Sequence, residues 1–541
     1  MTSIDLTHPR LAPWVIVHHP MEDGAPWIVE RQGSNPLRVS DDIGALLATI
    51  DGERDAQALA AMLGPQWTPD LVTVAVHRFH ALGLLTEPGT TGPKPERRFV
   101  AVSWMNLQLR LIQAYRVLEP ARPMLTRLRG SFVLPATLLV SFVGILALIA
   151  QHRIVSATLG EPLPFTSMAV VWLGLGVSTI FHELSHGATL THYRGRPGWL
   201  GIMLFYLTPA CFCEVTDGWR LANSRQRVMV AMAGVAAQAV MSSVAALVAL
   251  VMPNGDGRTM LVGFAMASYL SAIVNLIPWI KLDGYLALMS YLDIPHLREK
   301  VIADARGWLD RRLFGIAFTC ELPKLRWAVP FGMLCILFPG LVLAAAANRW
   351  GYLLLNMGVV GAIARLLLIV FVVYWLARRA TLALRNARRG GASYIRITGA
   401  ALLVGLVLAA PLSLINIHDD VHGGYTRDGS SVRLALPIGT DPSTIRSGDR
   451  VWLERRGLVL STTQGVARVG AAHPVPATVP IETLAPVQAD ATIDAITLPL
   501  EGVSSAQLDT AGGATVPGSA QPLARWLYAQ GQSAWNDVFG G

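Results

Sequence analysis

The sequence predicts a polytopic α-helical membrane protein of about seven spans, with a small α/β domain before the bundle and a β-rich domain after it. Three observations predict this. Of 541 residues, 52% are hydrophobic and only 15% charged, whereas soluble globular chains carry about 25% charged residues. Mean hydropathy is +0.44. Apolar runs long enough to cross a bilayer, about 20 residues for a ~30 Å core, recur through the middle of the chain.

Residues 1–95 read as a separate soluble unit. Trp27-Ile28-Val29-Glu30 has the pattern of a strand, and Ile43–Ile50, Ala56–Met62 and Pro69–Leu82 have that of short helices. The first 100 residues hold no apolar run long enough for a signal peptide. The order Ile50-Asp51-Gly52, helices, then Leu82-Gly83-Leu84-Leu85 is similar to the winged-helix-like modules that bind leader peptides of ribosomally made, modified peptides. A generic docking or regulatory domain has the same outline. DNA binding fits poorly, because no helix here is densely basic, and no nucleic-acid module occurs elsewhere. Residues 96–130 are Arg-rich with interleaved Trp104, Leu107, Leu109 and Leu111, and are expected to lie along the inner membrane surface as a basic interfacial segment.

The transmembrane domain is expected over 131–417, with spans Phe132–Ala150, Phe165–Leu190, Val228–Met252, Met260–Ile280, Trp327–Ala347, Tyr352–Leu376 and Ile397–Ile415. Arg365 interrupts the sixth. Either it marks a paired or functional site, or the span starts later, near Val359. Leu200–Cys213 is too short to cross, contains Pro209, and reads as a re-entrant or edge-strand segment. Connecting segments alternate in charge. Arginines and lysines crowd the segments after the second, fourth and sixth spans, among them Arg194, Arg220, Lys281, Arg298, Arg378 and Arg388. The other three connections hold only Arg153, Arg258 and Arg349. The positive-inside rule then places the N-terminus in the cytoplasm and the C-terminal domain outside a multi-pass protein of the cell membrane.

Two strings carry the chemistry. The first is His182-Glu183-Leu184-Ser185-His186; the second is Asn275-Leu276-Ile277-Pro278-Trp279-Ile280-Lys281-Leu282-Asp283-Gly284. Positions i and i+4 share a helix face, so His182 and His186 can bind one Zn²⁺ through neutral imidazoles. A catalytic zinc takes three protein ligands plus water, and Asp283 can supply the third. With the deduced topology, both strings reach the same depth near the cytoplasmic face. Glu183 can act as the base. His192 is the rival ligand. The pattern that uses a third histidine there needs Gly at 189, and this chain has Thr189. On a continuing helix His192 points away, so Asp283 is preferred. Asn275 precedes Pro278, which should kink or end the fourth helix. Its amide can hold substrate backbone or a developing oxyanion, or can bridge helices. Ser185 and Phe181 read as packing residues.

HExxH in one apolar helix and NxxPxxxxDG at the end of another resemble the site-2-protease family of intramembrane zinc metalloproteases, over roughly 130–290. The resemblance implies His182, His186 and Asp283 as zinc ligands, Glu183 and Asn275 as catalytic residues, and a substrate-pairing strand near 200–213. It implies a peptide substrate and says nothing firm about either end of the chain.

Residues 418–541 hold no Lys and more acidic residues than Arg. Short alternating runs at Val432–Leu436, Arg450–Leu453 and Leu458–Thr462 predict a β-rich domain, and Pro522–Phe539 a closing amphipathic helix. Ser447-Gly448-Asp449-Arg450-Val451 resembles turns of barrel-sandwich domains in peptide-export adaptors. None of the four cysteines falls in this domain, so no disulfide framework is expected. Cys211 and Cys213 are either a soft metal-ligand pair or small apolar residues packed near the site.

Three functions fit this pattern. One is a membrane protease that removes the leader of a modified precursor peptide. Another is a regulatory protease that releases a membrane-anchored protein. The third is a non-enzymatic peptide-binding or export partner. The intact ligands and Glu183 disfavour the third. The N-terminal module, and the lack of a PDZ-like insertion between spans, favour the first over the second.

Overall fold

The computed structural model describes residues 7–20, 26–31, 37–86, 98–103, 106–128, 130–205, 208–355, 358–418, 420–438, 440, 442, 445–457, 460–471, 473–485, 487–504 and 508–539. The chain divides into two compact units. One holds Met1–Gly144, Leu175–Val244 and Ala267–Pro295; the other holds Ile145–Gly174, Ala245–Met266 and His296–Gly541.

The first unit begins with strands β1 (Val15–His18), β2 (Trp27–Arg31) and β3 (Leu37–Val39), paired antiparallel in that order. Helices α1 (Asp41–Thr49), α2 (Ala56–Leu63) and α3 (Pro69–Ala81) follow. Local chemistry sets these helix starts. Asp55 Oδ1 accepts from the Ala58 N–H at 2.8 Å, Thr68 Oγ1 accepts from the Leu71 N–H at 3.3 Å, and Pro69 occupies the first turn of α3. The apolar faces close over one core containing Val29, Leu46, Leu47, Leu59, Val72, Val76, Phe79 and Leu84. The strand and three helices expected from the sequence are all here.

Residues 96–130 contain β4 (Phe99–Ser103), β5 (Asn106–Gln113) and the short helices α4 (Ala114–Leu118) and α5 (Arg122–Leu125). Leu107, Leu109 and Leu111 alternate with Gln108 and Arg110, which is a strand period. Trp104 lies outside the described residues. Then come α6 (Gly130–Ala150), α7 (His152–Gly160), β6 (Leu163–Pro164), α8 (Phe165–His192), β7 (Trp199–Phe205), β8 (Thr208–Cys213), α9 (Ser224–Val251), α10 (Asp256–Asn275) and α11 (Asp283–Leu292). The order β4-β5-β7-β8 makes an antiparallel four-stranded sheet. Leu200–Cys213 is thus a hairpin with β8 as its open edge, one of the two forms expected for it.

The second unit continues with α12 (Leu297–Phe314), α13 (Ala328–Leu355), α14 (Gly358–Arg389) and α15 (Tyr394–Leu414), with α12 packed on α13 and α15. Among the described residues six helical stretches are long and apolar enough to cross a membrane: Phe132–Ala150, Phe165–His192, Ser224–Val251, Asp256–Asn275, Val360–Arg389 and Tyr394–Leu414. The remaining expected span falls in α13, whose described apolar stretch, Ala328–Leu341, is shorter. The helix α14 starts at Gly358, the later start allowed by the sequence; the Arg365 side chain lies outside the described residues.

After β9 (Asn416–His418) come β10 (Val421–Asp428), β11 (Ser431–Pro437), β12 (Arg450–Arg456), β13 (Ser461–Val469), β14 (Val475–Pro480), β15 (Val487–Gln488), β16 (Thr492–Ser504), β17 (Ala511–Val516), β18 (Ala520–Pro522) and α16 (Leu523–Phe539). The β-rich region and closing helix were both expected; residues 458 and 459 of the run Leu458–Thr462 lie outside the described residues. Strand order is β11-β10-β17-β12-β13-β16-β14, and a further β11–β16 pairing closes the first six into a barrel. The 13-residue β16 makes closure possible: its first half pairs β14 and β11 and its second half reaches β13. Tyr425, Leu434, Leu436, Val451, Leu453 and Leu498 fill the core. Leu453 is 0% exposed. Leu453→Ala should destabilise the barrel by about 2–5 kcal/mol, while Val475→Ala, half exposed on β14, should change it by less than about 0.5 kcal/mol. Denaturant titration of the full chain, followed by proteolysis of the C-terminal domain, separates the two.

Candidate metal centre

Three helices of the first unit build the site. On α8, His182 and His186 are one turn apart and both are 5% exposed. The helix α10 ends at Asn275, as Pro278 three residues on requires, and an irregular turn leads to α11, which opens with Asp283. Gly284 permits this return. A Cβ there would stand 2.1 Å from the Leu276 carbonyl oxygen, so only glycine lets the chain fold back so closely. Asp283 is thereby carried into the interior, 9% exposed.

The donor atoms converge. His182 Nε2 lies 3.2 Å from His186 Nε2, 2.9 Å from Asp283 Oδ2, and Asp283 Oδ1 lies 3.4 Å from His186 Nε2. Ligand atoms of one zinc ion, bonded at about 2.0 Å in a tetrahedron, stand about 3.3 Å apart. The His186 Nδ1–H donates to the Val230 carbonyl at 2.7 Å, so its Nε2 lone pair faces the other two groups. Two imidazole lone pairs and a carboxylate aimed at one point repel each other unless a cation lies between them. Among the described residues His182 Nδ1 is buried with no hydrogen-bond partner, and Asp283 Oδ2 meets only His182 Nε2. On the opposite side α9 comes very close at Gly234: a Cβ there would stand 2.5 Å from both His182 Nε2 and His186 Nε2. These residues fit a zinc ion in ligand type and spacing, and His186 also in tautomer.

Glu183 is the next residue along α8. Its Oε2 accepts the Cys213 backbone N–H at 2.8 Å. That N–H points out of the open edge of β8. By the two-residue alternation of an antiparallel ladder, the N–H and C=O of Cys211 point the same way, and Pro209 has no N–H there. A sheet edge with unpaired backbone groups therefore runs up to Glu183.

The other sequence candidates fall as follows. His192 still lies on α8, and its Nδ1 bonds the Leu125 carbonyl at 2.8 Å, apart from the cluster. Asn275 Nδ2 donates to Gln238 Oε1 at 3.4 Å, and Gln238 Nε2 to Ser271 Oγ at 3.2 Å; the amide bridges α10 and α9. Ser185 Oγ donates to the Phe181 carbonyl, and Phe181 is 52% exposed rather than packed inside. Cys213 is buried with Ala114 and Leu118, and burial, with Glu183 and Glu214 nearby, pushes its thiol up to about 12. Burial also raises Cys211. Among the described residues neither thiol joins the group of His182, His186 and Asp283, and Cys213 packs in an apolar cluster, the second of the two sequence readings.

Val230, Gly234 and Gln238 were not singled out from the sequence. The run Ala231-Met232-Ala233-Gly234-Val235-Ala236-Ala237 was the available signal, since small residues let helices approach closely. A second missed group is the buried Arg227, which donates to the Leu221 carbonyl and to Asp293, the residue capping α11. Asp293 also meets Arg38 of β3 at 3.1 Å. The N-terminal domain is thus tied to the helix that opens with Asp283.

Compared with protein-family models, curated proteins and solved structures, the chain matches none.

If the cluster holds a metal ion, Gly234→Ala should lower the metal content of the purified protein, because the added methyl falls on both imidazoles. Metal analysis beside far-ultraviolet circular dichroism checks this. Full metal content in the variant would mean that the close α9 contact has no part in binding.

Proposed function

We propose that this protein is an intramembrane zinc metalloprotease that hydrolyses a peptide bond near the cytoplasmic membrane face, and that its substrate is the leader of a ribosomally made, modified peptide. The observation that carries the reading is the convergence of His182, His186 and Asp283 on one point, with Glu183 beside them and an open strand edge leading up to it. His182, His186 and Asp283 would hold the ion, and zinc bound there would supply Lewis acidity.

The chain's own residues do the rest. The open edge of β8 takes an extended peptide by backbone pairing, since a helical substrate would hide its carbonyls. Glu183 accepts a proton from the attacking water and delivers it to the leaving amine. The Asn275 amide has two hydrogens; one goes to Gln238 and the other is free for the developing oxyanion. The arginine-rich connections put this end of the spans in the cytoplasm, together with the N-terminal domain. Arg38, on an edge strand of that domain, pairs with Asp293 at the C-terminal end of α11, the helix that opens with Asp283, so a leader bound to the domain is tethered to the same unit as the metal cluster.

Purified protein should hold about one zinc per chain. Asp283→Ala should lose it and His192→Ala should keep it, as read by metal analysis; the reverse result would refute the ligand assignment. Glu183→Ala should keep the zinc and lose cleavage by at least about 10²-fold. Unchanged turnover would place the base elsewhere.

Deleting residues 1–95 should raise the apparent KM for a precursor peptide without lowering zinc content. Titrating the N-terminal domain with that peptide should show binding. No binding, with normal cleavage by the truncated chain, would replace leader removal by release of a membrane-anchored regulator.

A further inference from the structure

The second unit holds a cavity of about 650 Å³ between the start of α7 and the start of α10. Gln151, His152 and Arg153 line one side; Asn254, Gly255 and Arg258 line the other. Among the described residues no acidic side chain lines it. Two of the three arginines in the otherwise cation-poor connections, Arg153 and Arg258, thus meet in one place. The topology rule removes positive charge from these connections, so a pair of arginines kept there and brought to one cavity needs another reason.

Arg258 is held in position. Gln151, only 3% exposed, is fixed by donating to the Ala147 and Ala246 carbonyls at 3.0 Å, and its Oε1 accepts the Arg258 Nε–H at 3.2 Å. Asn254 Oδ1 accepts from Arg258 Nη1 at 2.8 Å. Both partners are neutral, so the guanidinium charge is not cancelled, and Nη2 takes part in neither bond. The Gln151 amide is satisfied on every side by its bonds, so it fixes where the Arg258 guanidinium points. Arg153 and His152 are exposed at the rim. The first turns of α7 and α10, with their outward amide groups, add positive potential. The cavity opens where two apolar helices meet their ends, α6 at Ala150 and α10 at Asp256, which for spans that cross a bilayer is the level of lipid headgroups.

We propose that this cavity binds a phosphate group, that of an anionic lipid headgroup, with Arg258 as the fixed fork and Arg153 as a second cation. A planar guanidinium suits phosphate oxygens, which accept two parallel hydrogen bonds. A free phosphate offers the same chemistry.

The test uses the full chain and is independent of proteolysis. Protein in phosphatidylcholine nanodiscs doped with phosphatidylglycerol is delipidated stepwise, and retained lipid is counted by native mass spectrometry. The wild type should retain phosphatidylglycerol over phosphatidylcholine. Each arginine near a membrane surface contributes about fivefold to anion binding, so Arg153→Gln should weaken retention about fivefold and Arg153→Gln/Arg258→Gln about 25-fold. Arg153 is exposed, so its replacement leaves folding intact. Arg258→Lys keeps the charge but loses the fork and should fall between wild type and Arg258→Gln. A second arm protects the arginines from phenylglyoxal with inorganic phosphate in detergent. Protection by phosphate without retention of phosphatidylglycerol would identify a free phosphate as the ligand. Equal retention of both lipids by wild type and double variant, with no protection by phosphate, would overturn the proposal.

Discussion

Two imidazoles and a carboxylate, buried among apolar helices and aimed at one point, impose the constraint that the rest of the first unit serves. Such a group is unstable by itself: the carboxylate is desolvated and the nitrogen lone pairs face each other. Each neighbouring feature reduces that cost or fixes the geometry. The Val230 carbonyl sets the His186 tautomer. Pro278 ends α10 so that the chain can turn, and Gly284 lets it return beneath Leu276. Gly234 lets α9 close over the rings. The proposed zinc would turn three mutually unfavourable donors into a bound set.

The sheet beside the cluster gives the proposed chemistry its direction. A membrane interior offers extended peptide no hydrogen-bonding partners. The open edge of β8 supplies them, and the Cys213 N–H already reaches the Glu183 carboxylate. A substrate lying along that edge would pass the proton-accepting group. The strand that makes this possible rests on β7, and β7 rests on β5, so the Arg-rich segment before the bundle also supports the substrate edge.

Charge is used differently in different places. Arg227, Asp293 and Arg38 join α9, the end of α11 and the N-terminal sheet. The exposed Arg38–Asp293 pair contributes little stability singly. Its interest is positional, since with the buried Arg227 it connects the N-terminal domain to the helix that presents Asp283. In the second unit Arg455 joins Asp509, which also takes Gln464, itself bonded to Tyr425. That network closes one part of the barrel.

The sequence by itself predicted the apolar helices and paired His182 with His186, because composition, periodicity and an i,i+4 spacing are local properties. Asp283 lies far along the chain and was joined to them by zinc's need for a third ligand and by the resemblance of the two motifs. The sequence also preferred Asp283 to His192, because a helix that continues past Thr189 carries that ring away, and the structure bonds it to Leu125. Only the tertiary structure decided what touches the cluster. That Gly234 faces both rings, that Val230 holds His186 and that Asn275 is tied to Gln238 depend on how α9 packs, which no local pattern encodes. The strands at 99–113 were hidden because arginines among leucines suit a membrane surface as well as a sheet; their partner, β7, lies about ninety residues away in sequence. Closure of the C-terminal barrel was equally illegible, since it rests on β16 pairing with strands far from it in the chain. Contacts that join distant segments are set by the packing of whole surfaces, and so the tertiary structure alone fixes them.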